Sequence, residues 1–90
     1  MYIGRVVGTV VATIKDEAFY GRKLLLVDRL KLDGEPDGHY DIAIDVVQAG
    51  LGDTVMVIDE GNGARQVINR DPAPARAVIV GVVDDVELFR

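Results

Sequence analysis

Few residues of this 90-residue chain could do chemistry, and their spacing limits what each can be. Asp41 and Asp45 stand four apart on a segment that alternates apolar and polar, so both carboxylates fall on one strand face. Two carboxylates on one face are the starting point of general acid–base work. No third group is placed beside them to orient or receive a proton, so catalysis is not expected. His39 is the sole histidine; without a second it is a poor metal ligand, and a surface position at a loop end is the plainer reading. Asp33-Gly34-Glu35-Pro36-Asp37-Gly38 gathers acids and glycines, yet it lacks the spaced oxygen ligands and closing bidentate Glu of a helix-loop-helix calcium loop. It reads as a solvated hairpin tip built on two Asp-Gly turns. With no cysteine in the chain, disulfides, thiolate nucleophiles and thiolate–zinc sites are closed to it. No catalytic residue, metal ligand or cofactor is assigned.

Two glycine-bearing segments carry more information. Ala49-Gly50-Leu51-Gly52 precedes an apolar strand candidate at 53–58, and Gly61-Asn62-Gly63-Ala64-Arg65 follows it. Glycines so placed let the chain turn through positive φ and let another backbone come close. Asn62 or Gly63 can cap one helical turn through Ala64 to Ile68, which Asp71-Pro72 would end. Free N–H groups at the start of that turn, with Arg65 beside them, would suit an anion. The competing and favoured reading has Arg65 brace a neighbouring loop or subunit. The segment is not a phosphate-binding P-loop, whose spacing and Lys-Ser/Thr pair are missing.

The elements that must position these residues are strands. Residues 3–14 alternate, with Gly4, Val6, Gly8, Val10, Ala12 and Ile14 on a wholly apolar face. The opposite face is mixed, and its Val7 and Val11 are too apolar for open solvent. Residues 15–21 are a charged loop ending in Phe19 and Tyr20, expected to plug one end of the core. A second strand at 23–32 places Leu24, Leu26, Leu30 and Leu32 on the expected core side, against Lys23, Arg29 and Lys31. A third at 39–47 places Tyr40, Ile42, Ile44 and Val46 inward, against Asp41, Ala43 and Asp45. The last, 77–83, is apolar on both faces; with no helices to form a second layer, another subunit is left to cover its outer side, Val78 and Val80 included. Five strands and one short helical turn predict an all-β chain, a single domain over residues 1–90 built as a five-stranded barrel of the oligonucleotide/oligosaccharide-binding type.

Totals narrow the function. Hydrophobic residues make up 49% of the chain and aromatics only 6%, so the apolar content lies in stiff aliphatics that suit strands. A domain of this length buries only roughly 60–65% of its unfolded surface, which leaves an apolar surplus and predicts contacts with further copies. The formal net charge of −5 repels phosphate backbones and argues against nucleic acid. The apolar start opens straight into a strand pattern and is too short and interrupted to span a membrane. A cytoplasmic protein is the default expectation.

At this point the order of motifs resembles a family: the pentameric vertex proteins of bacterial microcompartments, found in carboxysomes and ethanolamine-utilisation shells. The resemblance runs through Gly4 to Thr13 with Lys15, then Gly21 to Val27. It continues with Asp45, Ala49 to Asp53, Val55, Gly61 with Ala64-Arg65, and Ala77 to Asp84. The family often has glycine where Gln48 stands, Glu at Asp53, serines at Asn62-Gly63 and Asp at Arg76. The resemblance implies a barrel subunit of a five-fold ring, a homopentamer that closes the corners of a polyhedral shell otherwise tiled by hexamers. It implies that Ala49 to Gly52 and Gly61 to Arg65 lie at subunit contacts or near the axis, with Val7, Val11, Val78 and Val80 as further interface candidates. Lys15, Arg22 and Arg76 would be rim positions meeting hexameric shell proteins. The alternative from the residues alone is a monomeric barrel binding single-stranded nucleic acid or a small ligand on its second and third strands. That face would need exposed aromatics and basic residues.

Overall fold

The computed structural model describes residues 1–11, 22–59 and 77–87. Five strands form in chain order: β1 (Tyr2–Val10), β2 (Lys23–Leu30), β3 (Pro36–Asp45), β4 (Thr54–Ile58) and β5 (Ala77–Val82). They close into one barrel in the order β1-β2-β3-β5-β4. Closure comes from β1, which pairs antiparallel with β2 on one side and with β4 on the other. The one parallel pairing among the described residues, β3 with β5, joins Ala43 to Ala77 and Asp45 to Ile79. A closed barrel leaves no strand edge to attract stray chains. The all-β expectation therefore holds. The expected helical turn at 64–68 and the plug by Phe19 and Tyr20 lie outside the described residues.

Boundaries differ in instructive places. The first strand stops at Val10 rather than running through Val11, and the rest of its expected length is outside the described residues. The second strand ends at Leu30, and Leu32 sits exposed in a turn. The third begins earlier, because Pro36 already stands opposite Leu30; proline is tolerated as the first residue of a strand.

The larger difference is orientation. Leu25 and Val27, not Leu24 and Leu26, are buried among the core side chains, and on β3 it is Ala43 that joins them. The expected faces are thus exchanged along β2 and β3, except that Ile44, expected inward, is fully buried, against Val78 of β5. Each carries aliphatics on both faces, so hydrophobic tally favoured the face with the bulkier residues. Barrel diameter grows with strand number, so five strands enclose a narrow interior. That interior accepts Val6, Val27, Val55, Val57, Ala43, Ala49 and Ala77, with Leu25, Ile79 and Tyr2 as its large members. Leu26 and Ile42, which face each other across the β2–β3 ladder, are left outside.

Two glycines answer to geometry. Gly4 lies where β1 crosses close over β2, against Val27 and the Asp28 carbonyl. Gly52 has φ of 85° with open space around it. Its N–H donates to the Val6 carbonyl at 2.9 Å, and the Val6 N–H donates to the Asp53 carbonyl at 3.0 Å. The β3–β4 connection is thereby stitched to the middle of β1, just before the register shift between Val6 and Gly8. Because space is free, Gly52→Ala should cost only the left-handed conformational penalty, about 1–2 kcal/mol, read as a lower urea midpoint at unchanged m-value.

Candidate functional site

Each barrel mouth is closed by a polar cluster on the inward faces of the strands. At one end, Tyr2 is buried with its hydroxyl donating to Asp41 Oδ2 at 2.8 Å, and the Arg29 guanidinium lies over its ring, 5.1 Å from the centroid. Burial first, then the Asp41 carboxylate, pushes the Tyr2 phenol well above its ordinary value of 10.0. The sign follows: an unfolded chain releases this proton near pH 10 while the folded chain holds it, so stability present below that pH falls as pH rises past it. Urea titrations between about pH 8 and about pH 11 should show a loss for the native sequence that is smaller in Tyr2→Phe.

At the other end, Lys23 and Asp45 face each other across the β2–β3 ladder. The Asp45 side chain is buried; its Oδ1 accepts the Val47 N–H at 3.0 Å. Lys23 Nζ stands 3.6 Å from Asp45 Oδ2 and donates to the Ala49 carbonyl at 2.8 Å. Asp41 and Asp45 are therefore not a working carboxylate pair, since four strand residues separate them by about 13 Å and each is held by a different partner. His39 is exposed, with its N–H donating to Asp37 Oδ1 at 2.8 Å. That bond is the main reason the Asp37 carboxyl sits below the usual range. Among the described residues no group of three or more His, Asp or Glu side chains is placed to hold a metal ion.

The expected assembly residues separate into three groups. Val7, Leu51 and Val11 are exposed, at 45%, 68% and 98%. Val7 and Leu51 belong to adjoining segments, since Gly52 bonds to Val6. Ala49 and Val78 have no accessible surface in the single chain: Ala49 is core, and Val78 pairs with Ile44 and Ile58. Gly50 and Val80 are half-buried, and Gly52 is exposed. The Gly50 N–H donates to Asp53 Oδ2 and its carbonyl accepts the Asp53 N–H, so this segment is a braced turn. Arg22 is half-buried. Gly61, Asn62, Gly63, Ala64, Arg65, Lys15 and Arg76 lie outside the described residues.

Sequence reasoning missed the outer face of β1, β2 and β3. There Gly8 opposes Leu26, and Leu26 opposes Ile42; Val10 opposes Leu24, and Leu24 opposes Ile44. Cross-strand neighbours share a face, so these residues form one apolar face, open at Ile42, partly covered at Leu24 and Leu26, and fully covered at Ile44. Ile42 is 50% exposed, and Tyr40, at 67%, lies further along β3. The signal was present as apolar residues on both faces of β2 and β3. Lys23 and Arg29, which the nucleic-acid alternative needs on that surface, alternate with Leu25 and Val27 on the inward side.

Comparison with known proteins gives one consistent answer. The model of the family described as ethanolamine utilisation protein EutN/carboxysome matches residues 1–84. The chain is 44% identical over 87 residues, 97% of both chains, to the bacterial microcompartment shell vertex protein GrpN of Rhodospirillum rubrum. It is 40% identical over 88 residues to the carboxysome shell vertex protein CcmL of Gloeobacter violaceus, covering 98% of this chain and 87% of that one. Among solved structures, the pentameric microcompartment shell protein GrpN superimposes with a TM-score of 0.85 over 99% of this chain and 100% of its own. The ethanolamine utilization protein EutN from Escherichia coli does so with a TM-score of 0.86 at 33% identity, over 98% of this chain and 89% of its own.

Proposed function

Because the chain belongs to the EutN/carboxysome family of shell vertex proteins, we propose that it is a structural protein of a bacterial microcompartment, forming pentamers that cap the five-fold vertices of the shell. The observation that carries this is full-length likeness to a pentameric shell protein at 44% identity. Its place is the shell itself, inside the bacterial cytoplasm. The surface of the barrel supports the assembly: Leu24, Leu26 and Ile42 put aliphatic area outside a core that is already full. A ring uses heterologous contacts, one face of each subunit against a different face of the next. The outer sheet of β1–β3 is one such face, and the Val7–Leu51 region is a separate exposed area.

The reason such a unit is needed is geometric. Six-fold tiles make a flat sheet, and five-fold units supply the curvature that closes it. The partners are therefore hexameric shell proteins, with Lys15 and Arg76 as rim positions that would meet them. The role is that of a building block and not a catalyst, in keeping with carboxylates that are engaged in holding Tyr2 and the Val47 backbone. Native mass spectrometry tests the reading: a particle of five 9.8 kDa chains is the expected result, and a single-chain mass at micromolar concentration overturns it.

A further inference from the structure

A groove of about 430 Å³ opens beside the Tyr2–Arg29 mouth of the barrel. Segments distant in sequence build it: the first half of β1 with Thr54 of β4, the turn that follows β2, and the stretch after β5, which contributes Val86. Its lining holds three cations, Arg5, Arg29 and Lys31, against one acid, Asp33. The groove is therefore cationic on a chain whose formal net charge is −5. Ile3, Leu30 and Leu32 join Val86 to make much of the remaining lining aliphatic. We propose that this groove is a binding site for a small organic anion, a carboxylate carried on an aliphatic body.

The cations are within reach of a ligand, and two of them are uncommitted. Arg29 is held in place, its Nε 3.5 Å from Asp37 Oδ2 and its guanidinium over the Tyr2 ring, yet its side chain keeps 47% exposure. Arg5 is half-buried and Lys31 is exposed. Neither makes an ion pair among the described residues, and Asp28, opposite Arg5 in the β1–β2 ladder, makes none with it. Asp33 serves its own turn, where its Oδ1 accepts the Glu35 N–H at 2.9 Å. Thr54, opposite Arg5 on β4, adds a hydroxyl to the lining. This mixture selects the ligand class. A metal ion or an amine is repelled by the cations. A bare inorganic anion leaves the aliphatic lining in water, and an uncharged apolar molecule leaves the cations unused. A carboxylate on an aliphatic body engages both, with a guanidinium able to take its two oxygens side by side. Small-molecule sites have this make-up, an apolar concavity oriented by a few polar groups. The lining includes neither the outer-face residues Leu24, Leu26 and Ile42 nor Val7 and Leu51, so a ring built on those areas leaves the groove open. The site is complete within one chain and goes beyond the ring reading without depending on it.

Titrating the isotope-labelled protein, in its native assembly, with hexanoate tests the site through the amide resonances of Arg5, Lys31 and Thr54. At low ionic strength, where exposed charges are least screened, hexanoate should shift these resonances saturably. Hexanamide, which lacks the charge, and inorganic phosphate, which lacks the aliphatic body, should each bind roughly tenfold more weakly. Arg5→Gln should weaken hexanoate roughly tenfold. Lys31→Gln, at an exposed position where the fold is not at stake, should weaken it by about threefold. Glu35→Gln, in the same turn but outside the lining, should not weaken it. Equal affinity for hexanamide would make the groove a neutral apolar site, and equal affinity for phosphate a bare anion site. Either result overturns the proposal, as do the absence of saturable shifts in the unaltered protein and hexanoate binding that both Arg5→Gln and Lys31→Gln leave unchanged.

Discussion

Replacing Ile42 with aspartate is expected to dissolve the ring while leaving each barrel folded. Ile42 is half exposed in the single chain and sits opposite Leu26 on the outer face of the sheet. In a lone barrel the new carboxylate would stay hydrated, and the core beneath it, built on Leu25, Val27 and Ala43, would be untouched. In the ring the same charge would be buried against an apolar surface without a partner, which costs several kcal/mol at every contact. Each 1.4 kcal/mol is a factor of ten in the association constant, so assembly should be lost at micromolar concentration. Native mass spectrometry reads the ring and far-ultraviolet circular dichroism reads the fold. An undiminished pentamer would move the subunit contact off this face.

Gly4→Ala should produce the opposite pattern, a fold that fails before assembly is tested. A β-carbon built on Gly4 would collide with Val27 Cγ1 and lie 2.8 Å from the Asp28 carbonyl oxygen. The first neighbour is a side chain packed at the centre of the barrel and the second is backbone held in the β1–β2 ladder, so neither moves freely. Overpacking of this kind costs about 1–3 kcal/mol and at times more. A domain of this size has on the order of 5–13 kcal/mol in all, and its melting temperature should fall by roughly 10 °C. Gly8→Ala is the internal control: its β-carbon would meet Leu26 no closer than 3.6 Å, an ordinary contact. Melting curves of the two variants at equal protein concentration should separate clearly, and equal curves would show that β1 and β2 are not pressed together at Gly4.

Strand number and order of elements were legible because β-branched runs and Gly/Asp/Pro breaks are local signals, readable a few residues at a time. Val6 was expected inward and is inward, since its face of β1 has no polar rival. Leu24 against Leu25, and Ile42 against Ala43, could not be settled that way. Both faces of those strands are apolar, and period-two alternation assigns a side only when one face is polar. The polar residues that misled, Lys23, Arg29, Asp41 and Asp45, sit at the barrel mouths, where an inward side chain still reaches a partner or water.

The residues alone thus determined a small acidic strand protein with more aliphatic surface than one barrel can hide, and the order of its motifs pointed to a shell vertex. Only the tertiary structure decided which aliphatics are the surplus. Barrel closure sets an interior radius that admits alanine and valine almost everywhere, and radius is a property of five strands meeting in space. The same closure brought Arg5, Lys31 and Val86 to one groove from three separate segments, a meeting that no local pattern in the chain encodes.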